Sequence, residues 1–147
     1  LKDIYTGITT DLDLGLFTKY KKQKITYQDV SKILTQEPVA IFQSKSEQGQ
    51  RGLGSRSLLI DINAPKALEK IINNTSRIQT VAYSHNRHFY NLLVTHKRFY
   101  KKPLLLNTSL NLPGHTLVET MEDLLYMFET TALKYIYVPE KETLIVK

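Results

Sequence analysis

A stretch rich in glycine and arginine, EQGQRGLGSRS, covers residues 47–57 of the chain. Arginine presents a planar set of donors that matches phosphate oxygens, and glycine lets the backbone come close to a bound group. Arg51 and Arg56 flank two of the glycines, so both guanidinium groups can converge on one anion. The stretch therefore predicts an anion-binding loop that contains Arg51 and Arg56. Its glycines are Gly49, Gly52 and Gly54.

A tight turn with two surface arginines would produce the same letters. The pattern lacks the lysine and the serine or threonine of a P-loop, and no helical pattern follows it. Both interpretations of the glycine loop therefore stay open on spacing alone.

A second polar group follows the apolar run at 104–106, where Asn107, Thr108 and Ser109 bring an amide and two hydroxyls. Such side chains can form a turn by bonding to their own backbone. Open sheets, however, bind ligands beyond the ends of their strands. We therefore expect Asn107 and Ser109 to contact a ligand at the end of a buried strand.

The histidines do not form a metal-binding pattern. His85 and His88 lie on either side of a helix start, His96 falls on an apolar stripe, and no suitably spaced carboxylate pair accompanies them. The basic run at 19–24 is interpreted as a solvated loop, with contact to nucleic acid or another anion as the alternative. No metal site and no catalytic residue is assigned from these residues.

Alternating helix and strand signals indicate an α/β fold, with one mixed sheet in a single domain. Capping boxes at Thr26 and Thr120, Pro65 and a cap at Asn86 each begin a helix. The Asn86 helix has an apolar stripe of Phe89, Leu92, Leu93, His96 and Phe99. Strands are predicted at 39–42, 57–62, 79–83, 104–106, 135–138 and 143–146, the last two as a hairpin.

Composition limits the class of protein. The chain has 147 residues, which suits one domain, and no cysteine, which excludes disulfides and thiolate metal sites. No apolar run approaches the roughly 20 residues that span a bilayer, so a cytoplasmic protein is expected. The net charge of +6 favours anionic partners. The first residues do not suit an initiation site, so we expect a fragment of a longer protein.

Four motifs give the chain a family resemblance. Residues 42–57 are similar to F-Q-G-R-M-E-F-G-P-R-A-L-G-N-R-S, and residues 77–81 to R-x-Q-T-V. The second motif continues at residues 86–89, which are similar to N-P-R-F. The third is at residues 105–111, similar to L-L-N-T-S-F-N, and the fourth comprises Gly114, Glu122 and Asp123, similar to G-E-P and P-E-D-A. With these motifs in the same order, the chain resembles the C-terminal domain of the NodU/TobZ-type carbamoyltransferases.

This resemblance implies a YrdC-like α/β domain, with a twisted mixed sheet and flanking helices. Such a domain would bind ATP, with Mg²⁺, and carbamoyl phosphate, and would form carbamoyl adenylate with loss of pyrophosphate. A separate N-terminal, actin-like domain that holds a metal would then carbamoylate a hydroxyl on a small biosynthetic product. The expected partners are these small molecules, not membranes or nucleic acid. The substrate contacts implied by the motifs are Arg51, Arg56, Arg77, Asn107 and Ser109.

One departure from the family pattern leads to two different functional expectations. The family has a long basic segment before R-x-Q-T-V, whereas here Asn73 runs directly into Asn74. If the protein has lost that segment, a non-catalytic basic module that binds RNA or an acidic protein becomes the alternative. If the segment belongs to the complete protein but not to this sequence, the carbamoyltransferase interpretation is favoured.

Overall fold

A seven-stranded sheet with helices on both faces forms the described part of the protein. The computed structural model describes residues 12–44, 55–69, 71, 79–81, 84–100, 104–110 and 118–147. The strands are β1 (Lys21–Lys24), β2 (Val39–Phe42), β3 (Arg56–Asp61), β4 (Gln79–Val81), β5 (Leu105–Ser109), β6 (Tyr135–Val138) and β7 (Thr143–Val146). The helices are α1 (Tyr27–Leu34), α2 (Lys66–Glu69), α3 (Arg87–Phe99) and α4 (Met121–Thr130), with short 3-10 helices at Leu14–Phe17 and Pro139–Lys141.

The strand order is β1-β7-β6-β2-β3-β5-β4. β2 and β6 run parallel, and the other five neighbouring pairs of the described sheet are antiparallel. The predicted α/β class, with a mixed sheet and flanking helices, is therefore confirmed. None of the described helices is long and apolar enough to span a membrane.

Two apolar layers cover the two faces of the sheet. One layer packs Leu124 and Phe128 of α4 onto Leu58 of β3, and we call this side the α4 face. The other packs Val30 of α1 and Leu92 of α3 onto the opposite side, which we call the α1/α3 face. Successive side chains of a strand point to opposite faces, so neighbouring residues of β3 belong to different layers.

The predicted helix starts are confirmed, because each is determined by a local side chain. The Thr26 hydroxyl caps α1 by accepting from the Asp29 backbone, and the Asn86 amide caps α3 by accepting from the Phe89 backbone. Thr120 and Asp123 form the complete capping box of α4. A side-chain acceptor at this position satisfies an amide that the first turn leaves without a helical partner.

Two predictions from the sequence were wrong, the end of the strand at 104–106 and the loop at the basic run. β5 does not end at 106, because Asn107, Thr108 and Ser109 continue its pairing with β3. The basic run at 21–24 is not a loop but the edge strand β1, which pairs with β7 and leaves all four side chains exposed. In both places a neighbouring strand supplies backbone partners, and this decides the structure over residue type. Lysines on an edge strand also discourage pairing with another chain.

Phe99 departs from the predicted apolar stripe of α3. It lies in the last turn and is 48% exposed, whereas Phe89, Leu92 and His96 of the stripe are buried. Tyr100, at the end of the helix, places its ring 4.8 Å from the His96 ring. Tyr100 therefore continues the packing that the helical period assigns to Phe99.

A buried polar network explains why a histidine occupies the apolar stripe of α3. His96 Nδ1 lies 2.6 Å from Ser31 Oγ of α1, and His96 Nε2 lies 2.5 Å from Asp61 Oδ2 of β3. The other Asp61 oxygen accepts from the Asn63 backbone at 2.7 Å. Ser31, Asp61 and His96 are at most 2% exposed, so the network joins α1, α3 and β3 without a surface that a substrate could reach.

We expect the His96→Phe substitution to lower the free energy of unfolding by about 3 kcal/mol, because it leaves Asp61 and Ser31 buried without their imidazole partner. Chemical denaturation followed by circular dichroism measures the change. His85 is exposed, so His85→Phe serves as the control and should change stability by less than about 0.5 kcal/mol. Equal effects of the two substitutions would contradict a stabilising role for the network.

Candidate functional site

Polar residues gather where β2 and β5 end and β3 begins. Phe42 pairs with Arg56, and Ser109 pairs with Ser57, so the three strands share this end of the sheet. We call this region the polar sheet end. Its residues are Gln43, Ser44, Ser55, Arg56, Ser57 and Ser109.

The structure brings Asn107 and Ser109 to one face, as a shared site requires. They pair with Leu59 and Ser57, and Leu59 belongs to the apolar layer of the α1/α3 face. Ser109 lies in the last position of β5, and Asn107 lies about 7 Å deeper along the strand. Asn107 is fully buried and Ser109 is 4% exposed. Ser109 therefore lies at the sheet end, and Asn107 lies within the sheet.

Arg56 lies on the opposite face, beneath the α4 layer. Its guanidinium Nη1 donates to the carbonyl oxygens of Gln43 and Ser55, and Nη2 donates to the carbonyl of Glu119 at 3.0 Å. Its Cζ atom lies 3.7 Å from the centroid of the Phe42 ring. Arg56 thus connects the ends of β2 and β3 to the segment before α4. It does not share a face with Asn107 and Ser109.

We expect Arg56→Lys to reduce stability by about 2 kcal/mol, since an ammonium cannot reproduce a fork that contacts three carbonyls and stacks on an aromatic ring. Thermal unfolding would measure this loss. The matched control is Arg98→Lys, an exposed position in α3 where the two side chains should be equivalent. An Arg56→Lys protein as stable as this control would show that the guanidinium contacts contribute nothing.

The first turn of α3 lies against the polar sheet end through Asn86. Its Oδ1 accepts from Gln43 Nε2 at 2.8 Å and from the Phe89 backbone at 3.1 Å. Its Nδ2 donates to Ser55 Oγ at 3.2 Å. The sequence indicated Asn86 only as a helix cap and as part of the motif at 86–89. Its contacts with Gln43 and Ser55 arise from the tertiary fold.

Glu140 binds Ser44, which lies just beyond the end of β2. The backbone amide of Ser44 donates to Glu140 Oε1 at 2.5 Å, and the Ser44 hydroxyl donates to Oε2 at 2.6 Å. Glu140 belongs to the 3-10 helix that follows β6, and β6 lies beside β2. The sequence offered no signal for this pair, because its partners are 96 residues apart.

A tyrosine and histidine group lies beside this region. Tyr27 Oη lies 2.6 Å from His88 Nδ1, and the Tyr27 ring meets the Tyr137 ring edge to face. Burial lowers the pKa of His88, the Arg87 charge lowers it further, and Glu140 opposes both. Burial also raises the pKa of Tyr137, with Tyr27 adding to the effect. Both shifts favour the uncharged forms of His88 and Tyr137.

The lowered pKa of His88 predicts how stability changes with pH. The unfolded protein binds a proton at His88 near the ordinary value of 6.5, and the folded protein does so only at lower pH. The His88 contribution is therefore complete above that value and declines as pH falls through it. Denaturation between about pH 7.5 and 5 should show a steeper loss for the wild type than for His88→Gln. Parallel pH profiles would contradict this assignment.

The remaining predicted site residues lie outside the described residues. They are Gly49, Arg51, Gly52, Gly54 and Arg77. Along the chain, residues 45–54 connect β2 to β3, so Arg51 belongs to a connection that begins and ends at the polar sheet end. Within the described ranges, no group of three histidine or acidic side chains is placed to hold a metal ion.

Comparison with known proteins shows the family to which the chain belongs. A family model described as the carbamoyltransferase C-terminus matches residues 71–146, just over half of the chain. The chain belongs to this carbamoyltransferase C-terminal family. The matched range contains Arg77, Asn86, Asn107 and Ser109, and it begins after the glycine loop and Arg56.

The chain is also similar to an uncharacterized protein, MJ1058, of Methanocaldococcus jannaschii. The two are 26% identical over 165 residues, an alignment that covers 69% of this chain and 27% of the relative. The chain therefore matches about a quarter of the relative's length. Because 165 exceeds the 147 residues of the chain, the relative contains positions within the aligned region that have no counterpart here.

Proposed function

We propose that this carbamoyltransferase C-terminal domain binds ATP and carbamoyl phosphate and forms carbamoyl adenylate. The observation that carries the proposal is the family match over β5 and α3, the elements that bring Ser109 and Asn86 to the polar sheet end. Polar groups at the end of a sheet, beside a helix N-terminus, suit an anionic ligand. The carbamoyl chemistry itself comes from the family resemblance.

The proposed reaction has two steps, because carbamate must form before it can attack ATP. Water first releases inorganic phosphate from carbamoyl phosphate and leaves carbamate. A carbamate oxygen then attacks the α-phosphorus of ATP, forming the carbamoyl adenylate bond as the bond to pyrophosphate breaks. Because both steps develop charge on phosphate oxygens, fixed cationic donors would stabilise them.

In this proposal each predicted site residue has a distinct role. Arg51 and Arg77 neutralise phosphate oxygens directly. Ser109 donates its hydroxyl at the sheet end, and Asn107 helps to orient the carbamoyl or phosphate group. Arg56 supports binding through its buried positive charge. Mg²⁺ would arrive with ATP, where substrate phosphates and water supply most of its ligands.

The transfer to an acceptor hydroxyl belongs, in this proposal, to a further domain of a longer protein. The M. jannaschii relative is consistent with this arrangement, because the match covers 27% of its length. We also propose that the unmatched positions of the relative include the basic segment expected between Asn73 and Asn74. The acceptor would be a small molecule that carries a hydroxyl group.

Calorimetric titration of the 147-residue chain with ATP and with carbamoyl phosphate tests the proposal. We expect Arg51→Ala and Arg77→Ala each to weaken carbamoyl phosphate binding by roughly tenfold or more, equivalent to about 1.4 kcal/mol for each lost charge-assisted contact. Arg98→Ala, at an exposed position in α3, removes the same charge and should leave affinity unchanged.

Two outcomes would contradict the proposal. One is a wild-type chain that binds neither ligand. The other is a chain that binds single-stranded RNA with steep salt dependence and has no preference for ATP, which would favour the basic binding module. In that case lysines of the exposed edge strand β1 become the residues to substitute.

A further inference from the structure

Asn86 connects three elements at the polar sheet end with one side chain. Its carbonyl oxygen accepts from Gln43, which follows β2, and from the first turn of α3. Its amide nitrogen donates to Ser55, which precedes β3. Both polar atoms of the amide are therefore used, and each of them reaches a different strand end.

The two strand ends that Asn86 contacts are also joined to each other. The Gln43 backbone donates to the Ser55 carbonyl at 2.9 Å, just beyond the pairing of Phe42 with Arg56. Asn86 thus closes a ring of hydrogen bonds that includes the end of β2, the start of β3 and the N-terminus of α3. The Asn86 backbone in turn donates to Ser84 Oγ at 3.1 Å, which orients the residue as it enters the helix.

We propose that Asn86 is a positioning residue for phosphate-bearing ligands at the polar sheet end, an inference that rests on the proposed function. It does not contact the ligand. By joining Gln43 and Ser55 to the first turn of α3, it fixes the N-terminus of this helix against the end of the sheet where Ser109 lies. A displacement of about 1 Å in a binding group is enough to weaken a well-oriented site severely.

The decisive substitution is Asn86→Ser, because it separates the two roles of the side chain. Serine caps a helix about as well as asparagine, so the start of α3 should be preserved. The shorter hydroxyl cannot reach both Gln43 and Ser55. We expect a melting temperature close to that of the wild type, and affinity for ATP and carbamoyl phosphate weakened about tenfold. Thr26→Ser, at the cap of α1 and away from the polar sheet end, is the control.

A second substitution removes the contact between Asn86 and Ser55 by changing Ser55. Ser55→Ala deletes the acceptor of the Asn86 amide and leaves the cap of α3 intact. If this contact positions the ligand site, Ser55→Ala should also weaken binding, and the double variant should bind no more weakly than Asn86→Ser alone. Additive losses in the double variant would show that the two residues act separately and would overturn the inference.

The outcomes separate this inference from the proposed function. Wild-type binding that Asn86→Ser leaves unchanged would overturn the positioning role and leave the proposed function in place. A wild-type chain that binds neither ligand would overturn both. If Asn86→Ser unfolds, Ser55→Ala decides: weakened binding with unchanged melting supports the positioning role, and unchanged binding overturns it.

Discussion

The burial of β3 on both faces is the constraint on which the described structure depends. All six residues of this strand are buried, and β2 and β5 pair with its two edges. The strand nevertheless contains Arg56, Ser57 and Asp61. Because a buried polar group without a hydrogen-bond partner costs several kcal/mol, the surrounding elements must bring partners to each of them. The positions of α1, α3 and the segment before α4 meet this requirement.

The polar residues at the two ends of β3 find their hydrogen-bond partners in different elements. At its last residue, Asp61 binds His96, which in turn binds Ser31, so one carboxylate fixes two helices on the same face. At its first residue, Arg56 gathers backbone carbonyls from Gln43, Ser55 and Glu119 on the other face. The Asp61 contacts orient α3, and the Arg56 contacts fix the sheet end that α3 approaches. The two polar contacts together determine where Asn86 meets the strands.

Sequence reasoning succeeded where structure depends on nearby residues. The caps at Thr26, Asn86 and Thr120 each act within three residues of the chain, and all three were confirmed. It failed where a distant strand decides the outcome. β1 exists because β7 offers it backbone partners, and β5 continues to Ser109 because β3 pairs with it.

The candidate site shows the same division. The motifs predicted Arg56 in a loop and Ser109 beyond a strand, whereas both lie inside strands, β3 and β5, near one end of the sheet. The motifs could not show that alternation along β3 and β5 puts these two side chains on opposite faces, because that requires the register Ser57 to Ser109. The contacts of Asn86 with Gln43 and Ser55 span 43 and 31 residues. No local pattern reports a contact at that distance along the chain.

Burial, as well as residue type, determines which side chains near the polar sheet end are charged. Burial lowers the pKa of His88 and so favours its neutral form, and the adjacent Arg87 acts in the same direction. A guanidinium, in contrast, stays protonated at any physiological pH, even when it is as deeply buried as Arg56. The fixed positive charge in this region therefore belongs to arginine, and the histidine contributes a neutral contact with Tyr27. Under the proposed function, a phosphate-bearing ligand would be attracted by charges that do not titrate, at a sheet end whose geometry is held by neutral amides and hydroxyls.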